Sequence, residues 1–274
     1  MPDANATDPV AEFYDQLTDL VAAAYDGNLH LGYSPDPDDP STLEAAPDLM
    51  TDELIQRLSA GPGHRVLDVG CGTGKPALRL ARTSGASVVG ISVSRHQVNV
   101  ANANAQAQQL HEQASFEYAD AAQLPFADAS FDAAWAFESM LHISDHHQVL
   151  SELKRVLHPG GRLVIADFAL RGPVDVHDLP VVDAFRATSR VATLRQIDDY
   201  PALIETAGLR LLDITDISDH ARPSFAKVVS DLNAARDQFS AHIGADTFDA
   251  FVGSVAAYGA LPQAGYVVLT ASKP

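Results

Sequence analysis

Residues 66–76 read Val66-Leu67-Asp68-Val69-Gly70-Cys71-Gly72-Thr73-Gly74-Lys75-Pro76, and the fold turns on this stretch. A short apolar run that stops at a turn has the pattern of a buried strand. The turn carries glycine at alternate positions, Gly70, Gly72 and Gly74. Ala77, Leu78, Leu80 and Ala81 then supply the apolar side of an amphipathic helix. Strand, glycine turn and helix in this order bring backbone close to a nucleotide-like ligand in α/β folds. Gly70 and Gly72 permit close approach and backbone angles that strain other residues. Asp68, two positions before the first glycine, is placed to accept a hydrogen bond from a cationic or amine-bearing ligand.

The same alternation extends outward. Strand patterns occur at 65–69, 87–91, 115–119, 131–136 and 162–168, with helical patterns at 74–84, 95–110 and 145–157 between them. Short apolar runs separated by helices predict a parallel sheet. Pro159-Gly160-Gly161 reads as a turn that ends the last of these helices. A helix over 202–207 stops at Gly208, a strand follows at 209–217, helical material fills 222–259, and a last strand covers 265–272. The expected organisation is a ligand-binding core at 56–171 and 201–217, completed by an edge strand at 263–274. Segments 1–55, 172–200 and 218–262 remain as helical arm and lid over the carboxyl ends of the strands, where open α/β sheets bind ligands.

Composition narrows the function. The chain has 274 residues, 46% apolar and 20% charged, long enough for one sizeable core. Its net charge of −18 opposes binding to nucleic acid or to anionic membrane, both of which need basic surface. The expected partner is a small-molecule substrate, and homo-oligomer formation is left open. Cys71 is the single cysteine, so neither an intramolecular disulfide nor a thiolate metal cluster can form. A cytoplasmic location fits that usage, and Cys71 reads as a small residue packed in a tight turn. The first ten residues lack the basic start and apolar stretch of a signal peptide. No metal is expected. His146 and His147 are adjacent, and neighbours on a helix do not face one another; both read as solvated, with Asp145 capping the helix.

The stretch Asp68-Val69-Gly70-Cys71-Gly72-Thr73-Gly74 resembles motif I of class I S-adenosylmethionine (SAM) methyltransferases, D-x-G-x-G-x-G. A nicotinamide dinucleotide site would need a glycine where Lys75 stands. The resemblance implies a doubly wound, seven-stranded, mostly parallel Rossmann-like sheet with a helical lid. It also implies SAM as cofactor, with S-adenosylhomocysteine as product. Asp120 and Ala121, after the third strand, match the family's adenine-binding positions. Most members carry an acid where Ser92 stands, and here Ser92 and Gln97 take the ribose contact. Ser92-Val93-Ser94-Arg95 keeps an NADP-linked reductase open as a remote alternative, beside a non-catalytic SAM-binding module.

A second motif, Glu138-Ser139-Met140-Leu141-His142-Ile143-Ser144-Asp145, follows the fourth strand. It resembles the small-molecule branch that includes sterol and tocopherol C-methyltransferases and bacterial natural-product glycoside O-methyltransferases. Tyr14, and then His30 and Tyr33 after Asn28-Leu29, look like that branch's aromatic arm. In this reading Tyr14 covers the cofactor, while His30, Tyr33 and Tyr200 touch the substrate. Sugar O-methylating members carry two adjacent histidines at Leu141 and His142, and only His142 is present here. For a hydroxyl acceptor, glycoside-like, His142 is the expected general base, with Asp167 orienting it or acting as an auxiliary base. For an isoprenoid alkene acceptor, Glu138 and aromatic faces would stabilise a carbocation.

Overall fold

The computed structural model describes residues 9–25 and 27–274. The first eight residues of the expected arm therefore lie outside the described residues, as does the signal-peptide reading that rests on them. Seven strands form one sheet in the order β3-β2-β1-β4-β5-β7-β6. They are β1 (Arg65–Val69), β2 (Ser87–Ser92), β3 (Ala114–Tyr118), β4 (Phe131–Phe137), β5 (Leu157–Leu170), β6 (Arg210–Asp216) and β7 (Ala264–Ser272). The pairs from β3 across to β5 are parallel, and β7 runs antiparallel to both β5 and β6.

Among the described residues ten helices flank or cap this sheet: α1 (Pro9–Ala24), α2 (Ala46–Leu58), α3 (Lys75–Ser84), α4 (Arg95–Ala107), α5 (His146–Val156), α6 (Leu179–Thr188), α7 (Tyr200–Thr206), α8 (Ser218–Ala234), α9 (Arg236–Ile243) and α10 (Ala245–Ala260). The period of two along each strand divides the core. Val66, Trp135, Val164 and Val268 face α2, α3 and α4. Leu67, Ala134, Ile165 and Leu269 face α5 and α7. Because both faces are covered, the central strands read as continuous apolar runs.

Three expectations need correcting. The C-terminal strand is not at the edge: β7 is inserted between β5 and β6, and β6 is the outer strand. All nine residues of β7 are buried, which an edge position would not allow. The boundary at residue 55 cuts through α2, whose Met50, Leu54 and Leu58 are sealed into the main core, so the arm ends before Ala46. Pro159-Gly160-Gly161 does not precede the fifth strand. It forms an irregularity inside β5, where pairing passes from Phe131↔Leu157 to Ala133↔Arg162.

Strand order reverses direction between β1 and β4, since β2 and β3 lie on one side of β1 and β5 on the other. The loops leaving β1 and β4 therefore diverge to opposite faces and leave a crevice at their carboxyl ends. Arm, α6 and α8–α10 close over that end. A separate apolar cluster of Leu17, Leu232, Phe239, Phe248 and Val252 ties α1 to α8, α9 and α10.

Leu150 of α5 is fully buried between helix and sheet. Leu150→Ala should cost about 2–5 kcal/mol through lost transfer energy and the cavity left behind. Chemical denaturation measures it, and a loss below about 1 kcal/mol would show that this face repacks freely.

Candidate active site

The turn after β1 is shaped by two hydrogen bonds to its neighbouring strand: the N–H groups of Gly70 and Cys71 both donate to Ile91 O, at 2.9 and 3.0 Å. Gly70 has φ +79°, and a Cβ there would collide with Cβ of Ser139. Gly72 has φ +53°, and its Cβ would sit 3.0 Å from Leu29 Cδ1 of the arm. Backbone thus lines a cavity of about 500 Å³ at the crevice, a size suited to a cofactor. Thr73 Oγ1 donates to Gly27 O at 2.7 Å and fastens the arm to the turn. Cys71 is buried, and burial pushes its thiol well above the ordinary range, which fits packing and not nucleophilic attack.

The electrostatics of this cavity fit a cation. Asp68, Asp120, Glu138 and Asp145 line it, whereas no Lys or Arg is among the described lining residues. Asp68 is buried, and its Oδ2 lacks a hydrogen-bond partner. Burial pushes its carboxyl up to about 7, opposed weakly by the indole N–H of Trp135, its register neighbour, which falls short of a hydrogen bond. An unpartnered carboxyl at a glycine cradle suits the amine of SAM and gives nothing to a dinucleotide phosphate.

The other cofactor positions gather at the same cavity. Ser92 Oγ donates to Gln97 Oε1 at 2.8 Å and accepts from Ser94 N at 3.0 Å. Gln97 Nε2 donates to Thr18 Oγ1 of α1 at 3.3 Å. These bonds leave a lone pair on Ser92 and an amide hydrogen on Gln97 toward the cavity, a neutral pairing for a ribose diol. Asp120 is exposed, lines the cavity with Ala121, and accepts from Ala122 N at 2.8 Å.

A smaller cavity of about 140 Å³ adjoins the first. Tyr14, Leu29, His30, Glu138 and His142 line both. The rest of the smaller wall is mostly apolar, with Phe13, Phe168, Phe185, Phe225 and Phe251 contributed by arm, strand and lid helices.

His142 ends a 3-10 turn at Met140–His142. Its Nδ1 lies 2.9 Å from Arg190 O, and a carbonyl can only accept, so Nδ1 carries the hydrogen. Nε2 therefore bears the lone pair and accepts from the Tyr14 hydroxyl at 2.7 Å. His30 is fixed by the same logic: Nδ1 donates to Leu31 O at 2.8 Å, and the buried Nε2 has no partner. Its ring packs on Phe137 with centroids 4.0 Å apart, and burial lowers its pKa to about 4.

Asp167 does not orient His142. Its Oδ2 accepts from Leu141 N at 2.8 Å and its Oδ1 from Phe168 N at 2.9 Å. It secures the turn that carries the histidine, and burial holds its carboxyl well above the usual range. Glu138 sits at φ +46°; its Oε1 accepts from Leu31 N at 2.8 Å and from the Tyr266 hydroxyl at 2.7 Å. Burial pushes Glu138 up to about 8.

Two expected substrate residues lie elsewhere. Tyr33 stacks on His220 at 4.7 Å and lines neither cavity, because Tyr33 N is drawn to Ala46 O. Tyr200 is buried on the α5 and α7 face, away from both cavities. His147 is exposed as expected, but His146 is buried and doubly hydrogen-bonded. Among the described residues no group of three or more His, Cys, Asp or Glu side chains is arranged to hold a metal ion.

A reversed-order parallel sheet, a glycine cradle beside an unpartnered acid, and a capped histidine at the junction of two cavities define a SAM-dependent small-molecule enzyme. Comparison with known proteins agrees. A model described as "Methyltransferase domain" matches residues 67–165. "Methyltransferase GfsG" of Streptomyces halstedii is 46% identical over 97% of this chain and 94% of its own length. The "27-O-demethylrifamycin SV methyltransferase" of Amycolatopsis mediterranei is 39% identical over 97% of both. Among solved structures, "[4+2]-Cyclase SpnF" superposes with a TM-score of 0.86 at 31% identity, covering 99% of this chain and 98% of that one. The chain belongs to the class I SAM-dependent methyltransferases. SAM is its cofactor, and the NADP-reductase reading falls with that assignment.

Asp68 yields a sign-definite prediction. An acid whose folded pKa is raised stabilises the fold at low pH, and that contribution fades as pH rises through about 7. A cationic ligand reverses the preference, because it binds the ionised carboxylate. SAM affinity should therefore strengthen from pH 6 to 8, and Asp68→Asn should flatten the rise and weaken binding at pH 8 by about 1.5–3 kcal/mol. Calorimetric titration across that range checks both, and an unchanged profile in the variant would place the amine elsewhere.

Proposed function

We propose that the enzyme transfers a methyl group to a hydroxyl of a small natural product, with His142 as the general base. The observation that carries this reading is the tautomer of His142: Nδ1–H is donated to Arg190 O, and the basic Nε2 faces the junction of the two cavities. The relatives whose names state an acceptor atom support it, including "27-O-demethylrifamycin SV methyltransferase" and "O-methyltransferase resE" from Aspergillus sclerotiorum.

When bound, SAM supplies an electrophilic methyl group on its sulfonium. Asp68, Gly70 and Gly72 would hold the amino-acid end, Ser92 and Gln97 the ribose, and Asp120 with Ala121 the base. The acceptor hydroxyl takes over the His142 Nε2 lone pair from Tyr14. As the methyl carbon bonds to the acceptor oxygen, its bond to sulfur would break and leave neutral S-adenosylhomocysteine; the hydroxyl proton would pass to Nε2, and Arg190 O would steady the imidazolium through Nδ1–H. Tyr14 cannot be the final base, since burial first and the Glu138 and Asp167 charges next raise its pKa further above an already high value. His30 lines both cavities as well, with its ring neutral and its Nε2 buried.

Alkene C-methylation is the weaker reading. Glu138 is held by Leu31 N and Tyr266 OH and favours the protonated form near neutral pH, so it gives little field to a carbocation. The apolar wall of the smaller cavity favours an acceptor with a hydrophobic body over a free sugar. A reducing cytoplasm suits the single buried thiol.

Three variants separate the roles in single-turnover methyl transfer, followed by mass with labelled SAM. His142→Ala should slow the chemical step by on the order of 10²–10⁴. Tyr14→Phe should stay within about tenfold of wild type, because the acceptor displaces that hydroxyl. Glu138→Gln should perturb the rate less than His142→Ala; the reverse order would favour a carbocation. Turnover of a candidate acceptor with no methyl mass gained would point instead to the cyclase chemistry named for the structural relative.

A further inference from the structure

The turn that carries His142 is held from outside by a segment that no catalytic motif marks. Residues 190–195 leave α6 and run along this turn. Arg190 O accepts from His142 Nδ1 at 2.9 Å. Ala192 N and Thr193 N both donate to Leu141 O, at 2.8 and 3.1 Å. At the far end, Leu170 N of β5 donates to Arg195 O at 2.7 Å, which ties the segment to the sheet. Arg190 itself sits at φ +54°, a left-handed conformation that costs a non-glycine residue on the order of 1–3 kcal/mol.

The docking of this segment rests on a buried histidine. Arg195 Nε donates to His146 Nδ1 at 2.9 Å, and His146 Nε2 lies 2.8 Å from Met140 O. An arginine nitrogen can only donate, so Nδ1 of His146 bears a lone pair. A carbonyl can only accept, so the hydrogen is on Nε2. His146 is thus a neutral ring with a forced tautomer, acceptor on the lid side and donor on the catalytic turn. It is a two-ended peg between Arg195 and the first residue of the 3-10 turn. A protonated His146 would set N–H against N–H and break the lid side.

We propose that His146 and Arg195 are positioning residues for methyl transfer: together they dock segment 190–195 on the Met140–His142 turn, so that Arg190 O selects the Nδ1–H tautomer of His142 and leaves Nε2 basic toward the cavities. The group that orients the base is then a backbone carbonyl, aimed by a strained residue and held by the His146 peg. The proposal rests on the reading of His142 as the base for its kinetic consequence, but its structural claim stands apart from that reading.

The test uses the full-length protein with ring-¹⁵N histidine, and His142→Ala assigns the His142 signals. In wild type, His142 should show the Nδ1–H tautomer and His146 the Nε2–H tautomer. His146→Phe keeps a ring of similar size and removes both hydrogen bonds. Arg195→Gln removes the guanidinium donor. Each should turn the His142 signal into a mixture of tautomers. Each should also slow single-turnover methyl transfer by about 10–10²-fold, the scale of a small displacement of a catalytic group. His146→Gln, whose amide can donate to Met140 O and accept from Arg195, should restore most of both. In the His142→Ala background, His146→Phe should add less than about twofold, whereas a purely structural role would give independent losses.

A His142 tautomer unchanged in both His146→Phe and Arg195→Gln would overturn the proposal. So would a His146→Phe loss that is undiminished in the His142→Ala background. If His142→Ala leaves the rate untouched while the tautomer still shifts in both variants, the positioning geometry stands and the base assignment is what fails. Should His146→Phe fail to fold, Arg195→Gln carries the same spectroscopic decision.

Discussion

Three carboxyl groups lie at the carboxyl ends of adjacent strands, two on buried residues and one on the half-buried Glu138, and the site depends on how each is compensated. Asp68 ends β1, Glu138 follows β4, and Asp167 lies near the end of β5. Removing a carboxylate from water is costly unless hydrogen bonds replace the solvent. Asp167 is answered by two backbone N–H groups, and Glu138 by one N–H and one tyrosine hydroxyl. Among the described residues Asp68 keeps a buried oxygen, Oδ2, without a partner, whereas both bonds to Glu138 fall on its Oε1. The answered pair builds structure: Asp167 fixes the histidine turn, and Glu138 joins the arm at Leu31 to β7 at Tyr266. The unanswered acid is left for a ligand. Its rise to about 7 measures the stabilisation that a cation can recover on binding.

The arm closes the same crevice through polar contacts along one side of α1. Asp15 accepts from Ser94 Oγ, Thr18 Oγ1 accepts from Gln97, and Asp19 Oδ1 pairs with His96 Nε2 at 2.7 Å. The opposite side of α1 buries Leu17 against Leu232 and Phe248. One helix therefore bridges the cofactor-binding half of the sheet and the lid helices. The two cavities meet beneath it at Tyr14.

Much of the core was legible because its signals are local. A strand ending in alternate glycines, and helices with an apolar stripe, depend on neighbours a few residues apart, and β1 through β4 fall within a residue or two of the expected spans. The place of β7 was not legible. Its apolar run is as consistent with an edge hairpin as with a strand buried on both sides, and strand order is settled by packing far along the chain. Met50, Leu54 and Leu58 did carry helical spacing that would have assigned α2 to the core. The residues expected to bind the cofactor, drawn from the glycine motif and the family resemblance, line one cavity. Tyr33 and Tyr200 failed because an aromatic ring looks the same in sequence whether it faces a ligand or a core. His146 failed because adjacency to an exposed histidine says nothing of helix phase; the apolar residues Val149, Leu150 and Leu153 mark its buried side.

The same limit explains why a carboxylate was expected to orient His142. A histidine base is commonly steered by an acid, and the family resemblance at the end of the fifth strand offered Asp167 for that task. A carboxylate there would raise the basicity of the ring and hold a charge beside it throughout the reaction. A backbone carbonyl selects the tautomer without placing a full negative charge beside the ring. This arrangement suits a cavity that must hold a cationic cofactor beside the base: a permanent imidazolium would repel it. The neutral His30 across the junction follows the same rule, with its own ring hydrogen committed to a backbone carbonyl. Among the described residues the charged side chains that line the larger cavity are all acids. Such an orienter is invisible to motif reading, because any residue has a carbonyl. What fixes it is the fold of residues 190–195 against the turn.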